Sequence, residues 1–227
     1  MRPAARKVPV FIGHYAVAFG AKRVAPSVSL GTLVLAAQLP DLISPVFLLL
    51  GLEHLRIVPG ITAVTPLDFY DYPWSHSLLA VLLWSVLVGG VYYALRRSKR
   101  GAWTTGAVAA LHWVLDFVSH GPDLQLAPGI GRRVGLGLWN SVAATALVET
   151  ALFAGAFFLY LRSTRARDRW GIISLWSLAA VLLALYAASL AGPPPPNTAA
   201  FTVTSFVQWL FVAWAFWADR HRQTTLG

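Results

Sequence analysis

Apolar residues gather in long blocks along this chain, and none of the blocks alternates with period two as a half-buried or barrel strand would. A helix needs about 20 such residues to cross the hydrocarbon of a bilayer. The pattern predicts spans at Leu30–Leu52, Trp74–Leu95, Ala102–His120, Leu136–Leu161, Ile172–Ala191 and Ala200–Ala218. The earlier run Val8–Phe19 is too short to span, and it follows Arg2, Arg6 and Lys7 as in a signal peptide. Lys22 and Arg23 directly after it oppose translocation and His14 interrupts it, so a retained re-entrant or interfacial helix is expected. The fold class is therefore all-α, a polytopic membrane bundle of about six transmembrane helices plus a short N-terminal helix. No polar linker is long enough to separate two cores, so residues 1–227 form one domain.

A hydrophobic share of 57% against 12% charged residues agrees with an integral membrane protein. The net charge of +9 invites a nucleic-acid reading, which the placement of the charges removes. With a cytoplasmic N-terminus, all of the 18 basic residues except Arg56, Arg132 and Arg133 fall on the inner side, as the positive-inside rule requires. Both termini are then cytoplasmic, and the lipid bilayer is the expected partner. Trp74, Trp103, Trp139, Trp170 and Trp217 fall near span ends, where interfacial aromatics belong. The chain has no cysteine, so any metal must take nitrogen and oxygen ligands. Outside the membrane, the proline-rich segment Glu53–Pro73 can cap a site as a lid, and Pro193–Pro196 reads as a rigid connector.

Polar groups at membrane depth are expensive unless paired, so His14, Asp41, His76, His112 and Asp116 mark a site, and this mix of residue types points to a metal ion. Pro40 beside Asp41 breaks the first span, and broken backbone in a membrane belongs inside protein or beside a wet cavity. His112, Asp116 and His120 recur every fourth residue, which places them within about 80° on one helix face. His120 is either part of the site or a helix C-cap, since Gly121-Pro122 ends the helix. Asp71 is either a ligand or general base, or a turn acid. Glu149 either orients a ligand from behind or stays a neutral acid bonded to a neighbouring helix. Arg132 and Arg133 either receive a phosphate or anchor the interface. His54 and His221 are assigned to exposed connections.

Taken in order, Gly13-His14, Leu39-Pro40-Asp41, Ser75-His76-Ser77 and His112-x3-Asp116 followed by Leu124–Pro128 resemble the YdjM-like family of inner-membrane metal-dependent hydrolases, also described as LexA-binding. The resemblance ends near Pro128. It implies that His14, Asp41, His76, His112 and Asp116 are the metal ligands, and that the membrane is the bacterial inner membrane. Two positions depart from the family pattern. Ile43 stands where a second acid is common, and Asp71 where a histidine is, which argues against a second ion.

The expected chemistry is hydrolysis of an ester or phosphoester in a lipid or amphipathic substrate. A divalent ion, zinc first among the choices, would lower the pKa of water, and Asp71 or His120 would take or relay the proton. Two rivals stand beside it. One is a transporter or ion pathway built on Asp41 and Glu149, although no internal repeat relates two halves of the chain. The other is a non-catalytic scaffold with a vestigial metal site, favoured by Ile43. With the N-terminus inside, His14 meets His76 only if Val8–Phe19 dips inward.

Overall fold

The computed structural model describes residues 11–225, a helical bundle fastened by three short antiparallel ribbons. Helices α1 (Ile12–Val24), α2 (Leu30–Ala37) and α3 (Leu39–Leu49) precede a hairpin of β1 (His54–Ile57) and β2 (Leu67–Asp71). Helices α4 (Leu78–Arg96) and α5 (Lys99–Ser119) lead to a second hairpin, β3 (Leu124–Gln125) with β4 (Arg133–Val134). A 3-10 turn at Leu138–Asn140 opens α6 (Val142–Ser163). The chain continues through β5 (Thr164–Ala166), α7 (Arg169–Ala191), α8 (Thr198–Ser205) and α9 (Gln208–Arg220) to β6 (Arg222–Thr224), which pairs with β5. The ribbons amend the all-α expectation. Their strands are too short for period-two alternation to show in the sequence.

Helix starts follow from local chemistry. Ser29, Ser77, Ser98, Ser141, Asp168 and Asn197 each accept a first-turn amide with their side chains, which satisfies donors that the helix itself leaves free. Helices α4, α6, α7 and the joined run α8–α9 are long and apolar enough to cross a membrane. The pair α2 and α3 makes a fifth candidate if it is one span, bent by 52°. The expected continuous span Leu30–Leu52 is thus two helices, because Pro40 has no N–H to continue the ladder and the chain turns at Gln38. Helix α5 falls outside the apolar set, since it spends one face on Thr104, Thr105, His112 and Asp116.

The core sits around α1. Ile12, Ala18 and Phe19 are fully buried, and the ring of Phe19 meets Phe153, Phe157 and Tyr160 of α6 at 5.7, 5.4 and 5.3 Å between centroids. Such burial makes α1 a core helix of the bundle; the preceding Val8–Val10, with Arg2, Arg6 and Lys7, lies outside the described residues. At its far end Lys22 Nζ donates to the Val28 carbonyl and to Asp219 Oδ1 of α9, both at 2.8 Å. Helices α4 and α5 approach closely through glycines. A Cβ on Gly89 would lie 2.9 Å from the Ala102 carbonyl oxygen, and one on Gly106 would lie 3.0 Å from that of Ser85. The spacing between the residues at the start of α4 and those on α5 is set by this contact.

A buried histidine and aspartate cluster as a candidate metal centre

Helix α5 supplies the floor of the site. Its buried stripe ends in His112 and Asp116, four residues apart, with His112 Nε2 3.1 Å from Asp116 Oδ2. The break between α2 and α3 leaves the Ala37 carbonyl free to accept from His112 Nδ1 at 2.7 Å. That bond places the proton on Nδ1, so Nε2 carries a lone pair. Two acceptors, Nε2 and a carboxylate oxygen, then face one another in a buried space. Neither His112 Nε2 nor Asp116 Oδ2 has a hydrogen-bond partner. An arrangement of this kind is stable when a proton or a cation lies between the two.

Helix α1 brings His14 to the same place. Its ring stacks on His112 at 4.0 Å between centroids, its Nε2 lies 3.2 Å from Asp116 Oδ1, and neither ring nitrogen has a hydrogen-bond partner. The helix is held in position by Glu149 of α6, whose Oε2 accepts from the amides of Ile12 and Gly13 at 3.0 and 3.4 Å. Glu149 therefore caps α1 and positions His14, a version of the orienting role weighed from the sequence.

The fourth and fifth residues come from α3 and from the approach to α4. Asp41 lies in the first turn of α3, and its Oδ1 is 3.3 Å from His76 Nε2. His76 Nδ1 bonds Ser75 Oγ at 2.6 Å, and Ser75 Oγ donates onward to Glu53 Oε2 at 2.6 Å. Glu53 Oε1 also accepts from the amides of Trp74 and Ser75, at 2.9 and 2.7 Å. Ser75 spends its own proton on Glu53, so His76 must donate from Nδ1 and keep its Nε2 lone pair for the cluster. Burial pushes the Glu53 carboxyl up from its usual range, and His76 with the Ser75 and Trp74 bonds works against that shift. Replacing Glu53 by Gln leaves a similar shape without the charge, and metal affinity is expected to fall about 10-fold. Metal titration of the purified variant against the wild type checks it; unchanged affinity would remove Glu53 from the site.

Two trios therefore have ligand atoms close enough to share an ion: His14, His112 and Asp116, and Asp41, His76 and His112. His112 belongs to both and offers one lone pair, so the two trios cannot each hold an ion through it at the same time. The donor set is nitrogen and oxygen, as zinc accepts. These buried groups could hold a metal ion.

The other predicted residues divide. His120 is the C-cap of α5 as one alternative held, yet its side chain is buried and lines a cavity of about 90 Å³ in front of the cluster. Its Nε2 is 4.0 Å from Asp116 Oδ1 and its Nδ1 is 3.0 Å from Asp123 Oδ1, with the ring against Trp139 at 4.1 Å. Asp71 does not join them. It sits on β2 in a half-exposed pair with His54 at 2.8 Å, away from the cavity lining, which favours the turn-acid alternative. Arg133 donates to the Tyr70 carbonyl at 2.6 Å and is likewise absent from the lining. The segment Glu53–Pro73 does cover the site as expected, through Phe69 and the following Tyr72. His221 is partly buried and pairs with Asp168.

Glu53, Ser75 and Asp123 were missed as site residues. The signal for Ser75 lay in the Ser75-His76-Ser77 motif; Glu53 had none beyond being an acid at the edge of an apolar block. Comparison of the chain with family models, with curated proteins and with solved structures finds no match. Function has to be argued from the chemistry of this cluster.

Proposed function

We propose that this protein is a membrane-embedded, metal-dependent hydrolase acting on an ester or phosphoester bond of a lipid or amphipathic substrate, in line with its resemblance to the YdjM-like family. One observation carries the reading: buried His112 Nε2 and Asp116 Oδ2 lie 3.1 Å apart and neither has a hydrogen-bond partner, with His14, His76 and Asp41 around them. A single zinc ion held by side chains of this set, His112 and Asp116 first, would give those atoms the partner they lack. When bound, such a cation acidifies water and polarises the oxygen of the scissile bond. His120 would serve as the base that accepts a proton from water, its Nδ1 turned to Asp123 at 3.0 Å so that Nε2 carries the lone pair. Four helices long and apolar enough to cross a membrane support the membrane reading. Its proposed topology counts α5 and the bent α2–α3 pair to give six spans in a bacterial inner membrane, both termini cytoplasmic.

Elemental analysis of the detergent-purified chain tests the reading, with about one zinc per chain expected for a site of this ligand set. Metal-free protein after purification in zinc-supplemented buffer would overturn it. The bend beside Asp41 favours a second reading, an ion or substrate pathway. Flux into proteoliposomes without hydrolysis would support that rival.

A further inference from the structure

The cavity in front of the cluster carries information about the substrate. Its titratable lining is His14, Asp41, His76, Asp116, His120 and Asp123, with Tyr15 and Tyr72; no lysine or arginine lines it among the described residues. One divalent cation cancels the charges of Asp41 and Asp116, and Asp123 is faced by His120. Among the described residues no positive charge is left over. A phosphate monoester brings nearly two negative charges at neutral pH, and burying them here without partners is costly. Arg133, the nearest basic residue that the second hairpin contributes, is tied to the Tyr70 carbonyl instead.

The same cavity offers neutral hydrogen-bond donors. Trp139 is 2% exposed, lines the space, and its indole Nε1 has no partner. Tyr72 and Ser44 add two neighbouring hydroxyls. Donors of this kind suit a carbonyl oxygen. On another side the wall is made by the junction of α8 and α9, where Val207 lines the cavity and is also 45% exposed on the outer surface of the bundle. The volume of about 90 Å³ admits a small head and leaves the tail outside.

From this charge balance and these donors we infer that the substrate is an uncharged carboxylic ester of a lipid, entering sideways past Val207, with Trp139 and Tyr72 binding its polar head. The inference rests on the hydrolase reading. In the reaction, the water oxygen forms a bond to the acyl carbon while His120 takes its proton. The bond from that carbon to the alcohol oxygen then breaks, and the proton returns to the leaving alkoxide. The products are a carboxylic acid and an alcohol.

Native mass spectrometry of the zinc-loaded full chain in detergent tests it, using 1-O-oleylglycerol as an uncharged, non-hydrolysable probe and oleyl phosphate as the charged one. The uncharged probe should be retained at least 10-fold more than oleyl phosphate at neutral pH. Tyr72→Phe and Trp139→Phe should each lower its retention about fivefold, the effect of one hydrogen bond. Equal or stronger retention of oleyl phosphate overturns the inference, as does undiminished retention in Tyr72→Phe, which keeps the ring and its packing. Metal content measured on the same preparation separates the two readings, because the order of the probes is decided whether or not zinc is bound.

Discussion

Replacing both His112 and Asp116 by Ala is expected to abolish bound metal. Both residues lie on one buried stripe of α5, and each touches a further ligand: His112 stacks on His14, and Asp116 reaches His14 Nε2 at 3.2 Å. The double change therefore removes the shared lone pair and the carboxylate at the centre of the set, leaving Asp41, His76 and His14 without a common point. Zinc content of the purified variant, measured beside the wild type, is the check. Full retention of zinc would place the ion elsewhere. The fold should survive better than after loss of a single partner, since removing His112 alone strands a buried charge on Asp116. Circular dichroism of the double and single variants distinguishes these cases.

The second large effect is expected at His120. His120→Ala should keep the metal and lower hydrolysis of a 4-nitrophenyl ester by about 10²- to 10⁴-fold, the contribution of a positioned general base. His120 Nε2 faces Asp116 from 4.0 Å without needing to ligate, and Asp123 holds the other nitrogen. Asp71→Ala serves as the contrast. Its carboxylate is half-exposed and paired with His54, so turnover should stay within about twofold, as for surface substitutions. If Asp71→Ala is the damaging change and His120→Ala is silent, the two roles are reversed.

Much of the site could be read from the chain because ionisable residues are conspicuous in apolar blocks. The four-residue spacing of His112, Asp116 and His120 fixes a helix face without any tertiary knowledge. The proline before Asp41 announces broken backbone, and the break supplies the carbonyl that orients His112. Long-range partners could not be read the same way. Glu53 meets Ser75 across 22 positions, and Glu149 meets Ile12 across 137; no local period encodes either. The ribbons escaped notice for another reason. Strands of two to five residues pair through backbone atoms, which every sequence carries.

The cap on α1 also fixes an order of assembly. His14 emerges from the ribosome early, but its helix is held by a carboxylate 137 residues downstream of Ile12. During synthesis the amides of Ile12 and Gly13 cannot meet this carboxylate until α6 has been made. The chain thus cannot fasten His14 beside His112 and Asp116 through this cap on a partial product. A nascent protein stalled before α6 would already carry His14, Asp41, His76, His112 and Asp116, yet lack the carboxylate that holds the first of them in register.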